Sequence, residues 1–475
     1  MDARDAVELV NWFPTANAVT SRPGYLQHCD VGTSAPIARM FEFEYGPYHR
    51  LLASSNGGLY DVTGNQVRVL GGGFSDDQWS AACLSGRMIL VNGSDFALSF
   101  DGNTLSLASF TGVSTDVLSH VCVHKSRIFA VERESQTFWF GDPNAIGGAL
   151  SDFDLSTVGH YGGHLLMCMS ISRDGFNGPD DYLVCIFTSG DGVIYQGTDP
   201  GDAANWAIVG HFKCGRPLGR HAAVDYGDTI VLLTERGYES LKNSIPFGTN
   251  VARTKIQSDK IRQAVKTAVE RSRFNDEWQV ACYARSDMLI VNVPTPDGQK
   301  TEQHVQNVST GAWCRFLDLN ATTWCRFGTS IYFGSIDGKV HWFDGAANDN
   351  GQPITCNALT AWDYLGNRAR KKIHRIQSCV FESERMPKVR LSIGTDFNFV
   401  RVGPAVTLLK NTDVSYWDQA TWDQDYFGSG RTAVRAWTKN AGVGVASACR
   451  VYASVVNAPV SWNSITYVFE PGGIV

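Results

Sequence analysis

The sequence predicts an all-β protein with a β-propeller-like body of six to seven irregular blades, one inserted helix and a C-terminal β-rich, sandwich-like domain. Three observations favour this fold. The composition is rich in turn-forming and aromatic residues, a phrase of three short strands recurs along the chain, and longer alternating strands replace that phrase after residue 350.

The composition is typical of short strands joined by turns. The 475 residues include 47 glycines, 11% of residues are aromatic and only 19% are charged. This balance favours strands over long solvated helices. A chain of this length exceeds what one hydrophobic core normally supports, so we expect either two domains or one architecture built by repetition.

The segment from 324 to 345 shows the repeated phrase most clearly. Apolar and polar residues alternate around Phe333, and Asp337-Gly338 predicts a type I′ hairpin turn that pairs Phe333 with Trp342. Six looser copies precede it, and their second strands carry a large apolar residue at the equivalent position: Leu51, Met88, Ile128, Leu183, Ile230, Leu289 and, in the last copy, Ile331. The spacing is irregular but lies near the roughly 40 to 50 residues of a propeller blade. A pair of packed sandwiches would carry the same strands.

The repeat also accounts for many of the twelve cysteines. No two of them have C-x-x-C spacing, and five occupy the same place in the first strand of their copies: Cys83, Cys122, Cys168, Cys282 and Cys325. We therefore expect free thiols that pack as small buried apolar groups rather than metal ligands.

One segment, near 258–272, interrupts the β pattern. Its apolar residues, among them Val265 and Val269, recur at helical spacing, and Ser258 is a candidate N-cap. The sequence thus predicts a helix inserted between blades. The whole chain divides into an N-terminal arm (1–30), the propeller-like domain (31–350) and the C-terminal β domain (351–475).

Catalytic motifs are missing from the sequence. It contains no nucleophile elbow, phosphate-binding loop, zinc-protease motif or dinucleotide fingerprint. His160 and His164 are four residues apart, but Gly162 and Gly163 between them argue against the helix that would bring both onto one ligating face. We expect no catalytic residue, no metal ligand and no cofactor.

Two segments are candidates for contacts with partners. The densest basic run suits a solvated sheet edge that charge protects from aggregation better than it suits contact with DNA or with an acidic partner. Its cations are Arg368, Arg370, Lys371, Lys372 and Arg375. Trp417 and Trp422, each followed by an aspartate, are candidate interface aromatics.

The net charge and the first residues bear on location. A net charge of −6 argues against general affinity for nucleic acid, which needs a cationic surplus. The opening residues lack the basic start and apolar core of a signal peptide, and no run approaches 18 apolar residues. We expect a soluble protein made in a cytoplasm.

The N-terminal phrases Val10-Asn11-Trp12-Phe13-Pro14 and Ser21-Arg22-Pro23-Gly24-Tyr25 resemble the opening of a known family. The family is the tail nozzle, or packaged-DNA stabilisation, proteins of short-tailed bacteriophages (podoviruses). The length, the repeats and the mid-chain helix are similar too. We assign the matching residues to placement of the N-terminal chain rather than to chemistry: Asn11, Pro14, Arg22, Pro23 and Gly24.

The resemblance implies a virion tail protein and no enzyme. It implies a homo-oligomeric ring, a hexamer in that family, that seals packaged DNA in the capsid and forms the channel for its ejection. The implied partners are the adaptor below the portal, a tail needle or plug, and tailspikes. Genomic DNA passes through without sequence-specific binding, and no small-molecule substrate is implied.

Two other functions are compatible with the sequence. A receptor- or glycan-binding propeller on the virion would use Trp417, Asp418, Trp422 and Asp423 to stack on sugars and hydrogen-bond to them. A propeller glycosidase would need two carboxylates, and a pair separated in sequence leaves no local motif.

Overall fold

The computed structural model describes residues 5–175, 178–227, 229–241, 252–253, 255–295, 301–385, 387–398, 400–406 and 432–474. They form two compact units. The sandwich unit comprises Met1–Leu26, Gln303–Leu319 and Trp342–Val475, and the propeller unit comprises Gln27–Glu302 and Asn320–His341. Among the described residues, no helix is both long and apolar enough to cross a membrane.

Short strands joined by turns make up most of the first half of the chain. In chain order they are β1 (Ala6–Val10), β2 (Trp12–Pro14), β3 (Val19–Ser21), β4 (Tyr25–Asp30), β5 (Arg39–Tyr45), β6 (Tyr48–Ser55), β7 (Gly58–Asp61), β8 (Arg68–Gly72), β9 (Ser80–Leu84), β10 (Arg87–Val91), β11 (Leu98–Phe100), β12 (Leu105–Leu107), β13 (Phe110–Thr111), β14 (Leu118–His124), β15 (Arg127–Glu132), β16 (Thr137–Phe140), β17 (Gly148–Ala149), β18 (Ser151–Asp154), β19 (Leu165–Gly175), β20 (Gly178–Phe187), β21 (Asp191–Gly197) and β22 (Trp206–Lys213).

The second half continues with more strands and the helix. They are β23 (Ala223–Asp225), β24 (Ile230–Thr234), β25 (Gly237–Ser240), β26 (Ala252–Arg253), β27 (Lys255–Ile256), α1 (Arg262–Ser272), β28 (Gln279–Tyr283), β29 (Met288–Val293), β30 (Glu302–Asn307), β31 (Trp313–Phe316), β32 (Ala321–Phe327), β33 (Ser330–Ser335), β34 (Lys339–Phe343), β35 (Ile354–Thr360), β36 (Arg370–Ser383), β37 (Lys388–Thr395), β38 (Thr432–Gly444), β39 (Ser447–Val455) and β40 (Val460–Ile474). Short 3-10 turns occur at Thr115–Val117, Asp259–Ile261 and Ala284–Ser286.

The propeller unit confirms the predicted repeat. Small antiparallel sheets follow one another along the chain: β5 to β8, β9 to β12, β14 with β15, β16 and β18, β19 to β22, and β23 with β24, β25 and β27. The pair β28–β29 provides a sixth blade, and β32, β33 and β34 a seventh, with β4 as its outer strand. The seven apolar residues that the sequence treats as equivalent lie on the second strand of successive blades, and all are buried.

The blades pack face to face around a ring. One apolar cluster joins the first and second blades through Phe43 and Phe100, and further clusters join the second to the third, the third to the fourth and the fourth to the fifth. Another joins the seventh blade to the first through Val340 and Leu51. Hydrogen bonds between Gln279 and the backbone of Trp324 link the sixth and seventh blades. Strand β4, which precedes the first blade in sequence, is the outer strand of the seventh blade. The N-terminal and C-terminal parts of the propeller unit thus share one blade, which closes the ring.

The hairpin between β33 and β34 differs from the prediction. Gly338 has a φ of 78°, but Asp337 is not among the residues with positive φ, and the Gly338 N–H donates to Ser335 O. Only one residue is left-handed, so the turn is not type I′, which needs two. The Phe333 ring packs against the His341 ring in a tilted arrangement, with centroids 4.9 Å apart, and Trp342 is 37% exposed. The predicted pairing of Phe333 with Trp342 is wrong by one residue, which turns Trp342 to the other face.

The five repeated cysteines lie on the first strands, as predicted, but their burial differs. Cys168 is buried, with its Sγ 3.5 Å from that of Cys185 on the neighbouring strand. Cys83 is exposed, and the other three are partly buried. The expectation of five buried thiols is therefore wrong for Cys83.

The inserted helix is present as a 3-10 turn followed by α1. Val265, Ala268 and Val269 are buried, which accounts for the helical spacing of the apolar residues. Ser258 does not cap the helix with its side chain. Its hydroxyl instead accepts a hydrogen bond from the Tyr238 N–H, so it ties the helix start to β25.

The sandwich unit contains two facing sheets. The first is part of an eight-stranded sheet of order β28-β29-β30-β31-β1-β35-β39-β37, of which β30 to β37 lie in this unit. The second has the order β2-β3-β40-β36-β38. Side chains from both sheets form one core, in which Trp12 and Trp462 lie 6.2 Å apart by ring centroid. The sandwich-like C-terminal fold is confirmed.

The unit boundaries differ from those expected at 30 and 350. The first 26 residues do not form a separate arm, because β1 pairs with β31 and β35, and β3 pairs with β40. Residues 303–319 also belong to the sandwich unit. The predicted boundaries placed residues 1–26 in the N-terminal arm and residues 303–319 in the propeller-like domain, because they followed the order of the sequence.

Candidate functional site

Two of the residues that carry the family resemblance, Asn11 and Arg22, meet in one buried network of the sandwich unit. Asn11 has a φ of 56°, a left-handed conformation that asparagine tolerates better than most residues. Its Oδ1 accepts hydrogen bonds from Arg22 Nε at 3.0 Å and from the Leu317 N–H at 2.8 Å. Its Nδ2 donates to Thr355 O at 2.8 Å. The Asn11 side chain thus fixes three separate segments of the chain.

Arg22 is the centre of this network. Its side chain is fully buried and forms a two-point ion pair with Asp349, with Nη1–Oδ1 and Nη2–Oδ2 distances of 2.8 and 2.6 Å. Nη2 also donates to Leu317 O, and Nη1 to Pro23 O. Every nitrogen of the guanidinium therefore has an oxygen partner. Such a fork geometry is the strongest way to compensate a buried arginine.

The remaining motif residues shape the backbone around Arg22. A Cβ at Gly24 would lie 2.0 Å from Asn348 O, so only glycine allows the two segments to approach. The Gly24 N–H donates to Ala346 O. Pro14 is buried at the end of β2, and Pro23 is partly buried. The five residues act on chain placement, and none presents a free polar group for chemistry.

The basic run lies on β36, where its cations have separate surroundings. Lys372 is buried, and its ammonium donates to Asn367 O and, at 2.8 Å, to Val445 O. Arg375 pairs with Glu470 at 3.0 Å on the surface. Arg370 and Lys371 are exposed, and the Arg368 guanidinium lies 4.8 Å from the Tyr364 ring centroid. Lys372 is therefore unavailable to a partner.

The alternative interpretation of the basic run as a sheet edge is wrong. Strand β36 pairs with β40 on one side and with β38 on the other. Its charges do not protect a free edge. Trp417 and Trp422 lie outside the described residues.

Two groups of potential metal ligands are explained by other contacts. The His160 N–H donates to Asp191 Oδ2, and the His160 ring packs against His211, 5.1 Å away. Glu42, Glu44 and His49 lie close together on the first blade, but Glu42 already accepts from the Gly328 N–H at 2.6 Å and from His49 Nε2 at 2.9 Å.

The sequence analysis missed a polar cavity at the hub of the propeller unit. The cavity has a volume of about 240 Å³ and is lined largely by the first strands of successive blades. Its polar lining includes Arg39, His120, Arg220, His221 and Gln279. These five residues come from four blades, with Arg220 and His221 adjacent just before β23, so no local spacing could reveal the group.

Burial and mutual charge set the protonation of the hub residues. Burial, and then the nearby Arg220, lowers the pKa of Arg39 to about 9. Burial, and then Arg220, lowers the pKa of His120 to about 4. Burial, followed by the charge of Arg39, holds the pKa of His221 well below its usual range. At neutral pH the hub therefore holds two cationic arginines and two neutral imidazoles.

The strand arrangement defines the class of protein: an all-β chain with a β-propeller unit and a β-sandwich unit. No known protein family and no curated protein matches the sequence. Similar solved structures include the computationally designed Ika8 protein, with 11% identity, 67% of this chain and 99% of that chain covered, and a TM-score of 0.41. BBS1N in complex with ARL6DN is 13% identical in sequence to this chain. The match covers 68% of this chain and 97% of that chain, with a TM-score of 0.42. BamB from Moraxella catarrhalis is 11% identical in sequence to this chain. The match covers 70% of this chain and 93% of that chain, with a TM-score of 0.39.

Proposed function

We propose that this chain is a structural protein of a bacteriophage tail, a nozzle that assembles as a ring below the portal. The ring holds packaged DNA in the capsid and forms the channel through which DNA leaves. The observation that carries the proposal is the Asn11–Arg22–Asp349 network. Two of the residues that resemble the nozzle family, Asn11 and Arg22, form this network with Asp349.

The way the chain is tied together suits a mechanical role. Strand β1 lies between β31 and β35, and β3 pairs with β40 at Val19–Trp462 and Thr20–Ser461. The third and the last strands of the sandwich unit, β3 and β40, are therefore joined by backbone hydrogen bonds. A force on the N-terminal segment would have to break these backbone hydrogen bonds and expose the Arg22 ion pair at the same time. The segment therefore resists displacement by packaged DNA.

The charge of the chain suits a channel. A net charge of −6 gives no general attraction to phosphate, so DNA can pass without being held. The strongest basic run is weakened in the fold because Lys372 is internal and Arg375 is paired with Glu470. The partners we propose are further copies of this chain, the adaptor below the portal, a tail needle or plug, and tailspikes.

The test is to image the purified full chain by negative-stain electron microscopy and to measure its mass by sedimentation over a range of concentrations. We expect a closed ring with a central pore wide enough for a DNA duplex, alone or on addition of the portal and adaptor. A matched pair of variants, Arg22→Met and the exposed Arg216→Met, asks whether the N-terminal network matters for assembly. Only the first should lose rings.

Two results would overturn the tail function. One is a chain that stays monomeric under all these conditions and binds host cells or glycans, which would favour the receptor-binding alternative. The other is that virions assembled without this chain keep their DNA as well as complete virions do, measured as protection from added DNase.

A further inference from the structure

We propose that the hub cavity of the propeller unit binds a small oxyanion of the phosphate class. Arg39, His120, Arg220 and His221 converge on this cavity, which lies wholly within the propeller unit. The site goes beyond the tail function proposed above and does not depend on it, because no residue of the Arg22 network takes part.

Arg39 is the main reason for the proposal. The residue is only 2% exposed, and its Nε donates to Gln78 Oε1 at 2.8 Å. In the part of the chain that the structure describes, its two terminal nitrogens, Nη1 and Nη2, are buried without a hydrogen-bond partner. A buried guanidinium with a free fork is costly, and a tetrahedral oxyanion is the kind of group that satisfies both arms of the fork at once.

Arg220 supplies a second cation that is held in place. Its Nη1 donates to Asn92 O at 2.8 Å and to Ser119 O at 3.2 Å, and its Nη2 lies 3.4 Å from Asp76 Oδ2. These contacts fix the guanidinium near Arg39, where its positive charge disfavours the charged form of Arg39. A bound anion would relieve this repulsion, whereas water would not.

Two imidazoles add polar atoms to the same cavity. His120 Nδ1 and His221 Nε2 are buried and have no partner among the described residues. Neutral imidazole can donate from one ring nitrogen, and either ring can take up a proton when an anion arrives. Unsatisfied polar atoms from three blades therefore surround one space.

The size of the cavity favours a small ion. A volume of about 240 Å³ corresponds to roughly eight water molecules at about 30 Å³ each. This is below the roughly 300 to 1,000 Å³ of pockets for drug-sized ligands. A hydrated inorganic oxyanion fits such a space, and a nucleotide would have to place only its phosphate group there.

The experiment is calorimetric titration of the purified full chain with sulfate in a low-salt buffer. Sulfate is the first probe because it stays a dianion between pH 5 and 8. We expect saturable binding to one site and a loss of affinity of about tenfold or more, or about 1.4 kcal/mol, in Arg39→Met, because the variant lacks the charged N–H donors. Arg216→Met removes an exposed arginine of the same unit and should leave binding unchanged.

A second variant, His221→Asn, keeps the test decisive if Arg39→Met folds poorly. It should also weaken sulfate binding, while circular dichroism shows the folded β structure. The proposal is overturned if the folded wild-type chain binds neither sulfate nor inorganic phosphate saturably. It is also overturned if both hub variants bind as tightly as the wild type.

Two further titrations distinguish the sources of the phosphate group. Tighter binding of inorganic phosphate than of AMP assigns the site to the free ion. Tighter binding of AMP that is lost in the same hub variants assigns it to a nucleotide phosphate. Tighter AMP binding that survives both substitutions counts against the hub site.

Discussion

Two buried arginines show how differently this chain treats internal charge. Arg22 in the sandwich unit and Arg39 in the propeller unit are 1% and 2% exposed. The guanidinium of Arg22 is paired with a carboxylate and two carbonyl oxygens, whereas among the described residues Arg39 hydrogen-bonds only through its Nε, to Gln78. A buried charge needs compensation. The fold itself supplies the hydrogen-bond partners of Arg22, whereas the terminal nitrogens of Arg39 remain available to a ligand.

The largest expected effect separates these two arginines directly. Arg22→Met leaves Asp349 buried without its cation, so we expect the free energy of unfolding to fall by about 3–5 kcal/mol. Arg39→Met in anion-free buffer removes an uncompensated charge at the cost of the Gln78 hydrogen bond, and should change stability by less than about 1 kcal/mol. Urea denaturation, followed by tryptophan fluorescence, measures both.

The double variant Arg22→Met, Asp349→Asn is the control for this contrast. Removing both charges should recover part of the stability lost in the single variant, because no unpaired charge remains. If Arg22→Met and Arg39→Met destabilise the chain equally, the distinction between a completed and an uncompleted arginine is wrong.

The next effect tests how closely the N-terminal segment must approach its neighbour. In Gly24→Ala the new methyl group would lie 2.0 Å from Asn348 O, a backbone atom that cannot rotate away. We expect a loss of about 1–3 kcal/mol, as for an overpacked core. The matched control is Gly473→Ala in the same unit, where nothing lies within 4 Å of the added carbon. Equal stability of the two variants in urea would contradict the close-approach role.

Local patterns in the sequence predicted the fold better than the sites. The seven apolar residues of the second strands could be found because each blade repeats the same strand–turn–strand phrase. The turn at Asp337-Gly338 could not be fixed, since Asp-Gly suits both a two-residue type I′ turn and a turn with one left-handed glycine. That ambiguity changed the register and misplaced Trp342.

The two arginine sites depend on contacts between distant segments. The partner of Arg22 is Asp349, and residues 1–30 were taken as an arm because nothing local pairs β1 with β35 or β3 with β40. The hub residues differ in type from blade to blade and lie at the start of, or just before, the first strands. The family motif identified Asn11 and Arg22 as important, and only the folded chain shows that their role is to hold segments together.

A smaller effect tests the basic run of the sandwich unit. Lys372→Met removes a buried ammonium that donates to Asn367 O and Val445 O, and we expect a loss of about 1–2 kcal/mol in urea denaturation. Lys371→Met, one residue earlier on the exposed face, should change stability by less than about 0.5 kcal/mol. A stability of Lys372→Met equal to that of the wild type would contradict the structural role of the buried ammonium. Weaker retention of Lys371→Met on a DNA column would show that the exposed cations of the run contact DNA.

The smallest effect concerns the dependence of stability on pH. The folded-state pKa values of His120, about 4, and of His221 lie below the roughly 6.5 of an unfolded histidine. Between pH 6.5 and about 4 the unfolded chain therefore binds more protons than the folded chain, so the stability present above pH 6.5 is lost as the pH falls. The charged groups that act on this hub are Arg39, Arg220, Asp76, Asp276 and Glu277.

Replacing a hub imidazole should make this pH dependence shallower. We expect His120→Gln and His221→Asn to lose less stability than the wild type between pH 7 and pH 5, measured as denaturation midpoints in urea. The exposed His160→Gln should follow the wild type. Sulfate should stabilise the wild type more at pH 5 than at pH 7, because a bound anion favours the imidazolium forms that burial and Arg220 otherwise suppress. Sulfate also stabilises proteins in general by exclusion from their surfaces, and Arg39→Met should keep only that general part. If the pH-dependent part survives in Arg39→Met, the anion acts elsewhere on the chain and Arg39 is a buried charge without a ligand.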